Sequence, residues 1–278
     1  MNRIIQKYVN FLLDNNPSPF CEYIIYKELL KLDDKTVSES YEWAKRFKLY
    51  TEIRDEQFPD GSWSDFYPMD TSPEVRKKHK HTNRATIRRL HDLSLGINDE
   101  MVAKTVDFCK RFIAGEPQLN KTHNLPDDIY HKKSVLNYIC SVIYGFNPDD
   151  ELIADYKKEN TLSDDKQRAY LIYEWDHGPF NIVKLSDSVS PESDAFVFLM
   201  CGLEDLKDYS LFGEFMAEKT APYLYSLCER LVDPNDDISI RTNRYYNKVG
   251  QYSESWNNNE IKKKDLLLRI IRILYKCE

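Results

Sequence analysis

Five Asp-Asp pairs punctuate the chain: Asp33-Asp34, Asp127-Asp128, Asp149-Asp150, Asp164-Asp165 and Asp236-Asp237. Neighbouring carboxylates raise one another's pKa, and a carboxyl that keeps its proton can act as a general acid. The pairs in Asn147-Pro148-Asp149-Asp150 and Asp233-Pro-Asn-Asp236-Asp237 have a plainer reading. They sit where helices would begin, and an acid there complements the helix dipole. His123 and His131 flank Asp127, so His123, Asp127 and His131 are the best metal-ligand candidates, since imidazole and carboxylate suit zinc. Their spacing matches no established zinc pattern, which leaves a loop with a capping aspartate as the simpler account. No cofactor is expected otherwise. Arg76, Lys77, Lys78, His79, Lys80 and His81 run into Arg84, Arg88 and Arg89, just after Trp63, Phe66 and Tyr67. Such a segment can grip a phosphate, a diphosphate or an acidic partner. Its plainer reading is a solvated loop and an exposed helix face. Glycoside hydrolysis needs two carboxylates roughly 5–10 Å apart. The tryptophan-lined cleft that would hold them is hard to build from Trp43, Trp63, Trp175 and Trp256 alone. No nucleophile-elbow motif supports Ser-His-Asp or Cys-His catalysis.

These residues need a scaffold, and composition bounds it. The 278 residues are 41% apolar and 31% charged, which is a folded chain with a sizeable core. Eight glycines and twelve prolines are too few for a β-rich protein with many tight turns. The net charge of −7 argues against general nucleic-acid binding, although it leaves room for a local basic patch. Arg3, Gln6, Lys7 and Asn10 interrupt the apolar N-terminal residues, so no secretory segment is expected there. No run reaches the ~18 apolar residues of a membrane span. The six cysteines (21, 109, 140, 201, 228, 277) are far apart, with no C-x-x-C. They read as reduced residues of a cytoplasmic protein, with Cys109, Cys140 and Cys228 in the core.

Helical spacing recurs along the chain and strand alternation does not. Ile4, Ile5, Tyr8, Val9, Phe11 and Leu12 form the first stripe. Ser18-Pro19 reads as N-cap and first helical residue, ahead of Phe20, Tyr23, Ile24, Tyr26, Leu29 and Leu30. Thr36 and Glu39 have capping-box spacing. A helix over 82–95 should stop at Gly96, and Asn98 should cap the next, whose apolar face is Val102, Val106, Cys109 and Ile113, with Gly115 after it. Lys132 to Tyr144 makes another helix ending at Gly145, and Asn147-Pro148 starts the next. Further helices are expected over 164–175, 193–201 and within 209–232. Ile261, Leu266, Leu267, Ile270, Ile271 and Leu274 form the last. Loops are expected over 50–81, 115–131, 176–192 and 233–259. No Gly-, Ser- or Pro-rich linker divides the chain, so one domain, 1–278, is expected. Roughly ten to twelve helices in pairs of about 45 residues would make about six hairpins. Periodicity alone leaves a closed double ring and an open α-solenoid equally open. The many tyrosines and phenylalanines could line a ring's central cavity or fill the wedge between its helices.

One segment is more specific. In Gln57-Phe58-Pro59-Asp60-Gly61-Ser62-Trp63 the Asp-Gly step makes a turn, because glycine tolerates positive φ. The indole can lie against the end of the next helix, and the Gln amide can bond orphan backbone groups there. The motif would tie one helical hairpin to the next.

On these residues the chain resembles the squalene cyclase and protein prenyltransferase superfamily of α/α-toroids. Gln57, Gly61 and Trp63 match the family's QW motif, Q-x3-G-x-W. The flank from Thr82 to Gly96 and the opening from Phe11 to Pro19 are similar to bacterial single-domain squalene-cyclase-like proteins. Gly250-Gln-Tyr-Ser-Glu-Ser-Trp256 before the last helix is a degenerate echo of the motif. The resemblance is good over 1–115 and generic over 116–230.

The resemblance implies an all-α, closed α/α-toroid whose central cavity holds a long apolar, isoprenoid-like molecule. Asp60, Trp63, Asp65, Asp70, Arg84 and Arg88 are the candidate ligand contacts. It does not deliver the family's catalysis. The D-x-D-D acid of the cyclases is absent, as are D-D-x-x-D and the zinc spacing of the transferases. The expectation is therefore a module that binds an apolar ligand or a protein partner. The alternative is an enzyme that cyclises an isoprenoid or transfers a prenyl group.

Overall fold

The computed structural model describes residues 1–63, 83–116, 139–140, 142–143, 145–147, 149–153, 200, 220–240, 251–253 and 256–278. All regular structure among them is helical, and no strand occurs. The chain forms two compact units: Met1–Phe47 with Leu162–Glu278, and Lys48–Thr161.

The first unit contains α1 (Arg3–Asp14), α2 (Pro19–Ile24) running into a π-helix (Ile25–Leu29), α3 (Asp34–Ala44), α7 (Ala221–Val232) and α8 (Asn259–Lys276). α1 starts at Asn2, whose side-chain oxygen accepts the N–H groups of Ile4 and Ile5, both at 2.9 Å. Its buried face is Ile5, Tyr8, Val9 and Leu12, the spacing of one helix stripe. That stripe packs on α7 and α8. Asn2 N–H donates to the Glu278 carboxylate at 3.1 Å, and Lys264 Nζ donates to Asn15 O at 2.6 Å. The start of α1 thus meets the end of α8, and the reverse holds at the other end, so the two helices run antiparallel. Tyr8 Oη donates to Glu229 of α7 at 2.7 Å, and Lys7 pairs with the same carboxylate. Burial, then the Glu229 hydrogen bond, pushes the Tyr8 phenol far up. The Tyr8 and Lys7 bonds hold Glu229 below its ordinary range.

Ser18 and Pro19 open α2 as expected, with Ser18 Oγ accepting the Cys21 N–H. The single helix expected to follow changes pitch at Ile25, where Leu30 N–H bonds back five residues to Ile25 O at 2.9 Å. α3 is capped by Asp33 rather than by a Thr36–Glu39 box, since Asp33 accepts both the N–H and the hydroxyl of Thr36. α8 is buried nearly all round, through Leu266, Leu267, Leu268, Ile270, Ile271, Ile273 and Leu274. Such a helix belongs in the middle of a core. Two of its basic residues, Lys263 and Arg269, are also buried.

The second unit holds α4 (Lys48–Asp55), α5 (Asn83–Asp92), α6 (Glu100–Ile113), helical turns at 139–140, 142–143 and 145–146, and a 3-10 turn (Glu151–Ile153). α4 occupies the start of the expected 50–81 loop. Its core contribution is only Tyr50 and Ile53, too short a stripe to stand out. α5 ends at Asp92, and Ser94 takes the left-handed turn at φ 57°, so the stop expected at Gly96 falls earlier. Asp99, not Asn98, caps α6; one oxygen accepts Met101 and Val102 N–H, and the other accepts Tyr50 Oη at 2.6 Å. Gly115, at φ 79°, ends α6 as expected. Gly145 does not end its helix; it makes room for His91, whose Cε1 would lie 2.5 Å from an added Cβ. His91 stacks on Phe146 at 3.8 Å. Lys110 of α6 pairs with the buried Asp150.

Candidate functional site

The motif at Gln57–Trp63 is a hydrogen-bonded corner between α4 and α6. Phe58 N–H donates to Ser62 O at 2.7 Å and Gly61 N–H to Phe58 O at 2.9 Å, which closes the turn. Asp60 Oδ1 accepts the Ser62 N–H and hydroxyl at 3.0 and 2.7 Å. Gly61 has φ 93°, and a Cβ there would lie 2.2 Å from Lys104 O of α6. Two separate demands therefore call for glycine: a positive φ and a close backbone approach. The Gln57 amide reaches Gly61 O (3.1 Å), Met101 O (3.0 Å) and Thr105 Oγ1 (3.1 Å). The Thr105 hydroxyl donates to Met101 O at 2.9 Å.

Trp63 is buried and donates its indole N–H to Ile53 O at 2.7 Å. Ile53 is in the last turn of α4, where carbonyls lack helical partners. The indole thus departs from its expected place at the next helix. It satisfies the end of the preceding helix, whereas the Gln amide reaches forward into α6. Arg111 of α6 donates to Asp60 O at 2.8 Å, a second tie across the corner.

The degenerate echo near Trp256 makes a different corner, in the first unit. Its centre is Asp265 of α8, 1% exposed. Asp265 Oδ2 accepts Trp256 Nε1 (2.6 Å), Ser253 Oγ (2.7 Å), Tyr252 N–H (3.0 Å) and Ser253 N–H (3.1 Å). Oδ1 faces the Cys21 thiol at 3.5 Å. Ser18 Oγ donates to Tyr252 O at 2.8 Å, which joins the α2 cap to the same corner. Burial pushes the Asp265 carboxyl up, against the pull of Trp256, Ser253 and the two backbone N–H groups. Burial and then Asp265 push the Cys21 thiol up, so it is an inert core thiol. Sequence reasoning missed Asp265. The available signal was one acid, Asp265, at the head of the apolar run of the last helix, four residues before Arg269.

Of the candidate contacts, Asp60 and Trp63 meet in the first corner, and both face protein groups. Arg88 is half-buried on α5. Arg84 lies on the backbone of α5, and its side chain is outside the described set. Asp65, Asp70, His123, Asp127 and His131 lie outside the described residues, as does the 76–81 basic run. Among the described residues, no group of three or more His, Cys, Asp or Glu side chains is placed to hold a metal ion. Nor is any helix among them long and apolar enough to cross a membrane. Cys109 and Cys228 are buried free thiols, and Cys140 is half-buried. Trp43 behaves unlike Trp63 and Trp256. It is 51% exposed on α3, beside a groove of about 320 Å³ lined with Ser38, Glu39, Glu42 and Arg46. No protein-family model, no curated protein and no solved structure matches this chain.

Proposed function

We propose that the chain is a single α/α-toroid domain of the squalene cyclase and prenyltransferase type, cytoplasmic, and that it binds an apolar, isoprenoid-like molecule without transforming it. The observation that carries this reading is the antiparallel pairing of α1 with α8. A ring needs its first and last helices to be neighbours, and an open superhelix keeps them apart. The two indole corners add support, since each ties a turn to a helix as the QW motif would. The non-catalytic part is supported by the engagement of several described carboxylates. Asp33 and Asp99 cap helices, Asp150 pairs with Lys110, Asp236 with Arg230 and Glu28 with Arg272. Asp265 is held in its corner. Carboxylates so engaged are poor proton donors to a substrate.

Native mass spectrometry of detergent-free protein, followed by titration with farnesol, tests the ligand. A co-purifying lipid or saturable farnesol binding is expected. The absence of both overturns the ligand reading. Small-angle scattering tests the ring, which an elongated rod would overturn. Turnover of an added prenyl diphosphate would establish the enzymatic alternative.

A further inference from the structure

The Gln57–Trp63 corner contains a step at which the chain can modify itself. Of the eight glycines, only Gly61 follows an Asp or an Asn. Its nitrogen has no Cβ beside it, so it is an unhindered nucleophile next to a carboxyl. Attack of that nitrogen on Asp60 Cγ forms an N–C bond, expels one water and closes a succinimide ring. One water then reopens the ring. Opening at the main-chain carbonyl leaves the backbone running through Cβ and Cγ, as an iso-aspartate with a free α-carboxylate. The reaction is redox-neutral and needs no partner but water.

The fold exposes this step and also restrains it. Phe58 is 44% exposed, Pro59 is exposed and Asp60 is half-buried, so water reaches the turn. Gly61 N–H is held by Phe58 O at 2.9 Å, and Asp60 Oδ1 is held by the Ser62 N–H and hydroxyl. Arg111 holds the Asp60 main-chain carbonyl. The carboxyl must leave Ser62, and the nitrogen must leave Phe58 O, before the two can join. The rate then follows the fraction of molecules whose corner is open. That fraction is kept small by Trp63 on Ile53 O and by Gln57 on Met101 O and Thr105 Oγ1.

The product does not fit the closed corner. Iso-aspartate adds one carbon to the main chain just before Gly61. Gly61 O is already bonded to the Gln57 amide and the Thr105 hydroxyl, and a Cβ on Gly61 would lie 2.2 Å from Lys104 O. The backbone there has no room to shift towards α6. We propose that Asp60–Gly61 is a one-way modification site: it isomerises to iso-aspartate when the corner opens, and the isomer then keeps the corner from closing. The inference rests on the corner alone and is independent of the ring and of its apolar ligand.

The test stores the full chain in mildly alkaline buffer and measures iso-aspartate at position 60 by electron-transfer fragmentation of the peptide that contains it. Wild type should accumulate it slowly, and the chain unfolded in urea much faster. Trp63→Phe removes the indole N–H but keeps an aromatic ring, and Thr105→Val removes a hydroxyl of the same corner. Each should speed accumulation roughly tenfold, which corresponds to about 1.4 kcal/mol in the open fraction. Trp256→Phe loosens the other corner and should leave the wild-type rate. Asp60→Glu should abolish the reaction. The isomerised fraction, separated by hydrophobic-interaction chromatography, should melt below the unmodified protein. Equal rates in wild type and both corner variants overturn the proposal, as does equal acceleration by Trp256→Phe. So does an unfolded chain that forms no iso-aspartate at position 60, or an isomerised fraction that melts with the unmodified protein.

Discussion

The two tryptophan corners reach the same end by different physics. At Trp63 the groups that hold the indole and bridge to α6 are neutral: a backbone carbonyl takes the indole, and an amide and a hydroxyl reach α6. At Trp256 a single buried carboxylate collects the indole, a hydroxyl and two backbone N–H groups. The neutral corner spreads its bonds over several acceptors, so the loss of one leaves the others. The charged corner concentrates them on one atom, so one substitution orphans four donors at once. The difference also sets what each corner senses. Amides, hydroxyls and indoles do not titrate in the ordinary pH range, whereas a carboxylate does.

The largest effect should come from Asp265→Ala. It leaves a buried indole, a hydroxyl and two N–H groups without their acceptor, and should cost about 4–5 kcal/mol in urea unfolding. A loss under about 1 kcal/mol would mean that the corner carries little stability. Trp63→Ala should follow at about 3–4 kcal/mol, from lost packing and an orphaned Ile53 carbonyl. An unchanged melting temperature would show that Trp63 is not a latch. Gly61→Ala should cost about 2–3 kcal/mol, because φ 93° and the Lys104 carbonyl both resist a Cβ. Stability equal to wild type would show that the backbone there moves aside at no cost.

The finest distinction is in pH. The folded-state pKa of Asp265 is raised above the ordinary 3.8. Its contribution is then fully present below that value and is lost as pH rises through the folded pKa. The stability of wild type relative to Asp265→Asn should therefore fall as pH rises from about 4 towards neutrality. Wild type relative to Trp63→Phe should stay flat across the same range. A slope at Trp63, or none at Asp265, would erase the contrast.

The neutral corner was legible in the sequence because all its defining residues lie within seven positions. Each of Gln57, Gly61 and Trp63 also has a property no other residue supplies as well. What the sequence could not assign was direction: which helix takes the indole and which the amide depends on how α4 and α6 meet. Ser18-Pro19 and Gly115 were legible as helix ends for the same local reason. Asp99 and Ser94 were missed by one or two positions, since Asn98 and Gly96 are equally good on type alone and tertiary contacts decide. The charged corner was legible only as a tryptophan in a degenerate turn. Its organiser is 9 residues away from Trp256 and 244 from Cys21, and no short-range pattern joins them. The π-turn was invisible because apolar spacing reads alike through it.

The Lys264–Asn15 bond joins residues 249 apart in sequence. α1 therefore leaves the ribosome long before its partner α8. Until α8 is made, Ile5, Tyr8, Val9 and Leu12 lack that cover. The nascent chain thus carries that apolar stripe without its α8 cover for longer than if α1 packed on the helix next to it, and closing the pair is a long-range docking step.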